Sequence, residues 1–322
     1  MQDDWQIGPR NRWAYQHVGE LIPTVRVACA SASPLPAGAP IELPSPPYLD
    51  GMAVLRDGAL VLERYENGME PPTRHLSQSV AKSVLGLLVT VLGLELDTPV
   101  TDYVPEVGES GYRGATLRHL MDMTAATDFV EDYTNFWRYD AASGWHSAAP
   151  GVPGSVLEYL ATIGPAERAH GAVFHYVSPN TDLLGIATAR AAGAPLQDVL
   201  ARELWAPLGA EADAELTVDP AGTPVISGGL CATLRDYVRL GAFVLERPEL
   251  PGLGERPIDD PRAVGYGAQW WRLPGGVLAA RGIHGQLVAV DRGSGTVTVI
   301  LSSWPAATDP EAEAAQFELI GD

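Results

Sequence analysis

The chain shows strand-like patterning with a period of two near its start and again near its end, and this pairing limits the possible folds more than any other feature. Residues 52–55 and 60–65 read as two strands joined by a turn at Arg56, Asp57 and Gly58. Residues 276–280, 287–290 and 296–302 read as strands too, the last two joined by a turn over 291–295. Between these ends the spacing is helical. A mainly apolar helix begins near Ser79 within the stretch 75–94, and helices follow over 116–123 with Thr116 as N-cap, 155–163, 180–192, 196–204 and 235–245. A sheet assembled from both chain ends around a helical insertion is an α+β arrangement. The predicted organisation is a sheet subdomain from 1–73 and 262–322, a mostly helical subdomain over 74–261, and a functional cleft between them. Residues 1–48 form an N-terminal extension whose proline-rich stretch 31–47 reads as a wrapped segment without regular structure.

Of the 21 basic residues, 20 are arginine and one, Lys82, is lysine. Arginine keeps its proton in a protein, whereas burial can strip a lysine of its own. A single lysine in such a chain points to a place that needs a deprotonatable amine. The formal charge of -19 gives no footprint for nucleic acid or anionic lipid. No apolar run approaches the roughly 20 residues of a membrane span, and the opening MQDDWQIGPRNRW has no secretory pattern, so a cytoplasmic location is expected. Cys29 and Cys231 read as free thiols. The histidines are scattered and no HExxH occurs, so neither metal nor cofactor is expected. The expected partner is a small-molecule substrate, and the expected state a monomer or homodimer.

Ser79-Val80-Ala81-Lys82 opens the apolar helix, and a spacing of three puts hydroxyl and amine on one face, a turn apart. A serine hydroxyl attacks an acyl carbon only once a base takes its proton, and a desolvated lysine can serve as that base. The helix start at Ser79 also offers backbone N–H groups to a developing oxyanion. Tyr176, in the turn-flavoured stretch 174–180, is a candidate proton shuttle. The backbone N–H of Ile283, in the glycine-containing strand 281–286, is a candidate second oxyanion donor, and His284 beside it reads as either structural or substrate-facing. Trp137, Trp145, Trp270 and Trp271 are candidate pocket walls.

Ser79-x-x-Lys82, Tyr176-x-Ser178 and Gly282-Ile283-His284-Gly285-Gln286, in this order, resemble the motifs of class C β-lactamase-related serine hydrolases. The chain is most similar to the branch of nylon-oligomer (aminohexanoate-dimer) hydrolases and carboxylesterases. That resemblance runs from Asn11-Arg12-Trp13 through Leu96-Asp97-Thr98-Pro99-Val100 to Trp205-Ala206-Pro207-Leu208-Gly209. It implies a β-lactamase/transpeptidase-like fold, an antiparallel sheet flanked by helices plus a mostly helical subdomain. It further implies Ser79 as the acylated nucleophile, Lys82 and Tyr176 as the proton-handling pair, and the N–H groups of Ser79 and Ile283 as oxyanion hole. Which of Lys82 and Tyr176 is formally the base belongs to the coupled set. Tyr133, Ser178, His284, Gly144 and Trp145 would contact substrate, with Tyr133 over the scissile amide.

Two departures shape the expectation. β-Lactamases of this class carry Tyr-x-Asn and Lys-Thr-Gly, whereas this chain has Tyr176-Val177-Ser178 and no second lysine. The cation that greets a β-lactam carboxylate is therefore missing unless an arginine or His284 replaces it. The expected activity is hydrolysis of small linear amides or esters, with β-lactamase or D-amino-acid peptidase activity as one alternative and a non-catalytic ligand-binding relative as another. No Gly-x-Ser-x-Gly elbow or nucleotide-binding glycine loop competes with this reading.

Overall fold

The strands expected at the two chain ends meet in one sheet. The computed structural model describes residues 3–133, 136–261 and 263–320. Two single-turn helices, α1 (Asn11–Ala14) and α2 (Val18–Leu21), lead to strand β1 (Thr24–Val27). The hairpin β2 (Leu49–Arg56) and β3 (Ala59–Tyr65) follows, then β4 (His75–Leu76) and the long helix α3 (Val80–Leu92). The middle of the chain carries α4 (Leu117–Met121), α5 (Trp137–Ala142), α6 (Val156–Leu160), α7 (Ser178–Ala192), α8 (Leu196–Leu200), the short strands β5 (Ala214–Thr217) and β6 (Leu230–Ala232), and α9 (Leu234–Leu245). Strands β7 (Arg256–Asp260), β8 (Ala263–Gly267), β9 (Trp270–Arg272), β10 (Leu278–Gly282), β11 (Gln286–Asp291) and β12 (Thr296–Ser302) precede the last helix, α10 (Pro310–Glu318).

The large sheet runs β3-β2-β12-β11-β10-β9-β8-β7, antiparallel throughout. The pairing of β2 with β12, from Arg56 opposite Thr296 to Leu49 opposite Ser302, ties the two ends of the chain together. Side chains alternate across the central strands as the pleat requires. Val288, Val290, Val297 and Val299 belong to the core shared with α3 and α9, whereas Leu287, Ala289 and Ile300 belong to a second core on the other face, beneath α10. Both faces are covered, so nearly every residue of β11 and β12 is buried. The proline-rich stretch runs beside β3, with Gly38 N–H on Leu60 O at 2.8 Å and Ile41 N–H on Val61 O at 3.0 Å.

Helix α3 lies against this sheet, and the glycine that interrupts its apolar run has a packing reason. A Cβ on Gly86 would stand 1.9 Å from Ala268 O, so only glycine lets α3 approach the turn between β8 and β9. A smaller antiparallel sheet, β1-β5-β6-β4, delivers the chain to α3: Leu76 pairs with Cys231, and Ser77 N–H bonds Leu230 O at 2.8 Å.

The structure departs from expectation at several places, among them the small sheet β1-β5-β6-β4, the helix α5 and the single turn at 283–285 where a strand was expected. The C-terminal strands of the large sheet begin at Arg256, inside the stretch expected to be helical, and the expected boundary residue Arg262 lies outside the described residues. Strand β7 reads RPIDD and is a half-exposed edge with no apolar alternation to reveal it. The helix α10 was not expected, although Asp309, whose side chain accepts from Ala312 N–H, and Pro310 are a start signal. Helix α7 begins two residues before the expected Asn180, at Ser178. No helix among the described residues is long and apolar enough to cross a membrane.

Candidate active site

Ser79 occupies the N-cap position of α3, following Gln78, which adopts a left-handed φ of 48°. One turn on, Lys82 Nζ lies 2.9 Å from Ser79 Oγ and donates to Ser227 O at 2.6 Å. The lysine is 1% exposed, and burial pushes its pKa down to about 8, against the opposing pull of Glu131 and Asp182. A neutral amine has two hydrogens and one lone pair. The Ser227 carbonyl takes one hydrogen, so the lone pair is available to the Ser79 hydroxyl.

Two carboxylates back this pair. Asp182, fully buried, accepts from Tyr139 OH at 2.5 Å and from Ser227 N–H at 2.8 Å, so the residue that orients Lys82 is itself held by Asp182. Glu131 accepts from the N–H of Ser178 at 2.8 Å and from its hydroxyl at 2.6 Å. Burial raises both carboxyls above the usual range, opposed only in part by Lys82 at Glu131 and by the hydrogen bonds from Ser227 and Tyr139 at Asp182. Tyr176 is half-buried, its ring centroid 5.4 Å from Lys82 Nζ and 5.2 Å from the ring of Trp271.

Ile283 stands where β10 ends, beside the turn that carries Ser79. A Cβ on Gly282 would lie 2.7 Å from Ser77 O and 3.0 Å from Ser79 N, so glycine is what allows the two backbones to touch. Among the described residues the Ser79 N–H donates to no protein acceptor. Ser79 and Ile283 both line two adjoining cavities. The larger, about 850 Å³, carries the carboxylates of Asp3, Glu131, Asp132 and Asp140. The smaller, about 150 Å³, is walled by Tyr176, Trp271 and Arg281.

The sequence-derived site residues divide accordingly. Ser79, Lys82, Tyr133, Ser178, Ile283, His284 and Trp145 line the larger cavity, and Tyr176 the smaller. Tyr133 is exposed at the rim of both. Trp145 is buried, its Nε1 donating to Thr217 Oγ1 at 3.0 Å. Gly144, with φ 79°, makes the turn before Trp145 but does not itself line either cavity. Of the four tryptophans, Trp137 and Trp145 wall the larger cavity and Trp271 the smaller, while Trp270 is a core residue that donates to Ser83 O at 3.0 Å. His284 does not supply a cation: burial lowers its pKa to about 4, and its Nδ1 lies 2.7 Å from Trp304 O. Arg281 is engaged by Glu313 of α10.

Sequence reading missed Ser227, Asp182, Glu131, Tyr139 and Asp140. Ser227 acts through its backbone, which leaves no side-chain signature. Asp182 lies in the helix expected over 180–192, and Glu131 stands two residues before Tyr133, but neither has a spacing of its own to mark it.

The family profile described as Beta-lactamase matches residues 50–321. The 6-aminohexanoate-dimer hydrolase of Paenarthrobacter ureafaciens is 33% identical over 359 aligned residues, covering 96% of this chain and 88% of that protein. Among solved structures, a Bacillus anthracis protein described as a 6-aminohexanoate-dimer hydrolase superposes with a TM-score of 0.86 at 23% identity, covering 98% of this chain and 94% of the other. EstCE1, a hydrolase with promiscuous acyltransferase activity, superposes with a TM-score of 0.68 at 16% identity over 85% of this chain and 94% of its own.

Proposed function

The chain belongs to the beta-lactamase family and is a hydrolase; on that footing we propose that it cleaves small linear amides or esters through an acyl-enzyme on Ser79. The neutral Lys82 amine takes the hydroxyl proton as Ser79 Oγ bonds to the carbonyl carbon. The carbonyl oxygen, now negative, receives the N–H groups of Ser79 and Ile283. Collapse of this adduct breaks the bond to the leaving amine or alkoxide, which takes the proton held by the Lys82 and Tyr176 pair. Water then adds to the acyl-enzyme by the same route and frees the acid.

One observation carries this reading: a buried amine 2.9 Å from a hydroxyl that opens onto a cavity. The proposed cleft lies between the large sheet, whose strand β10 leads into Ile283, and the mostly helical middle of the chain, which supplies Ser79, Lys82 and Tyr176. The carboxylates of the larger cavity favour substrates bearing an amino group, in keeping with the name of the Paenarthrobacter relative. Among the described residues neither His284, which is neutral, nor Arg281, which is engaged by Glu313, offers a free cation to a β-lactam carboxylate.

Intact mass after fluorophosphonate treatment is the direct test. The native chain is expected to gain one adduct, on Ser79, and Ser79→Ala none. A native chain that stays unlabelled and turns over neither p-nitrophenyl esters nor a linear aminohexanoate dimer would sink the proposal in favour of a binding protein without chemistry.

A further inference from the structure

Both backbone segments of the proposed oxyanion hole carry a left-handed residue with a side chain. Gln78, φ 48°, immediately precedes Ser79, and His284, φ 60°, immediately follows Ile283. Residues with a Cβ take this conformation only where their surroundings hold them in it. The direction of the Ser79 N–H is fixed by the peptide that Gln78 begins, so whatever holds Gln78 aims one of the two donors. That holding group comes from the N-terminal extension.

Tyr15, fully buried just after α1, touches both segments. Its hydroxyl accepts from Gln78 Nε2 at 3.1 Å and donates to Gln6 O at 3.4 Å, while Gln6 Oε1 takes a second Nε2 bond at 3.0 Å. The ring meets the His284 imidazole edge-on at 5.5 Å. Its carbonyl accepts the N–H of Leu76 at 2.9 Å, two residues before Gln78. Asn11, on the same short helix, donates to Trp304 O at 2.6 Å, the carbonyl that also engages His284.

We propose that Tyr15 is a positioning residue for catalysis: its hydroxyl fixes Gln78 and its ring fixes His284, so the N-terminal segment sets the spacing between the N–H groups of Ser79 and Ile283. This rests on the hydrolase reading above. Tyr15 touches no reacting atom. Its effect is on the transition state, where oxyanion donors act, and hardly on the bound substrate.

The test is steady-state kinetics on a p-nitrophenyl ester for Tyr15→Phe, Gln78→Ala and the double variant, beside melting temperatures and fluorophosphonate labelling of Ser79. Tyr15→Phe keeps the ring and loses the hydroxyl. It is expected to lower kcat about tenfold with KM within about twofold. Gln78→Ala, which leaves the core aromatic in place, is expected to do the same, and the double variant to be no worse than either. A boronic-acid transition-state analogue should lose affinity by the same factor as kcat. If Ser79 still labels and Tyr15→Phe has native kcat, or if the two losses multiply, the positioning role is wrong while the hydrolase reading stands. If the native chain neither labels nor turns over p-nitrophenyl esters or a linear aminohexanoate dimer, both are wrong.

Discussion

The carbonyl oxygen of Ser227 lies 2.6 Å from Lys82 Nζ, and Asp182 holds that same residue through its N–H at 2.8 Å. The amine that faces Ser79 is therefore aimed by a backbone group that cannot titrate. Its protonation depends on burial, which brings the pKa from 10.5 down to about 8. The reactive form is the neutral one, so the acylation rate is expected to rise with pH through about 8 and level off above it, with roughly a tenth of the full rate at pH 7. Burst kinetics of a p-nitrophenyl ester between pH 6 and 10 measure this. A rate that is flat or falls across the range would take Lys82 out of the base role. Lys82→Arg is expected to lose at least three orders of magnitude at every pH, since guanidinium cannot give up its proton.

Gly282 gives a steric test of the oxyanion hole. Gly282→Ala places a methyl 2.7 Å from Ser77 O and 3.0 Å from Ser79 N, both backbone atoms, so β10 and the Ser79 turn must separate. Ser79 and Lys82 stay together on α3, but the Ile283 N–H moves away from them. The expected result is a fall in kcat of about 10²-fold, the loss associated with one oxyanion donor, with melting temperature lowered by only a few degrees. A variant with native kcat would show that Ile283 is not a donor.

How much of this could be read in the sequence followed from what each contact is made of. Ser79 and Lys82 were legible because helical period alone places residues three apart on one face, and the terminal hairpins because alternation survives wherever a strand has a core to face. Strand β7 was not, since it is a half-exposed edge in which Ile258 alone packs on the core, too little to make an alternating pattern. Ser227 contributes a carbonyl, which every residue possesses. Tyr15 lies 64 residues before Ser79, and only the fold brings them near. His284 was legible as a residue of the cleft, but its neutrality comes from burial that no local motif encodes.

That neutrality decides the response to β-lactams. Recognition of their carboxylate needs a cation beside the nucleophile, and His284, lowered to about 4, carries no charge at any pH where the enzyme is expected to work. Arg281 lines the smaller cavity but is engaged by Glu313. Nitrocefin turnover is expected to be at least 10²-fold below that of a short-chain p-nitrophenyl ester, measured as kcat/KM at pH 8. Comparable values would mean that the carboxylate finds a cation after all, and the preference for linear substrates would have to be abandoned.

Asp140 tests the electrostatics of the larger cavity. Burial, with Glu131 nearby, raises its carboxyl to about 7, so it is neutral well below that pH and charged above it. A primary amine on a linear substrate remains protonated across this range. Attraction between the two should therefore strengthen as pH rises from 6 to 8, and KM for an amine-bearing amide should fall over that interval while KM for a neutral ester of similar size stays level. Asp140→Asn removes the charge at all pH values. It is expected to raise KM for the amine substrate several-fold at pH 8, to abolish its pH dependence, and to leave the neutral ester within about twofold. If both substrates respond alike, the carboxylate acts on the fold of α5 and not on the substrate, and the amine preference has no basis in this residue.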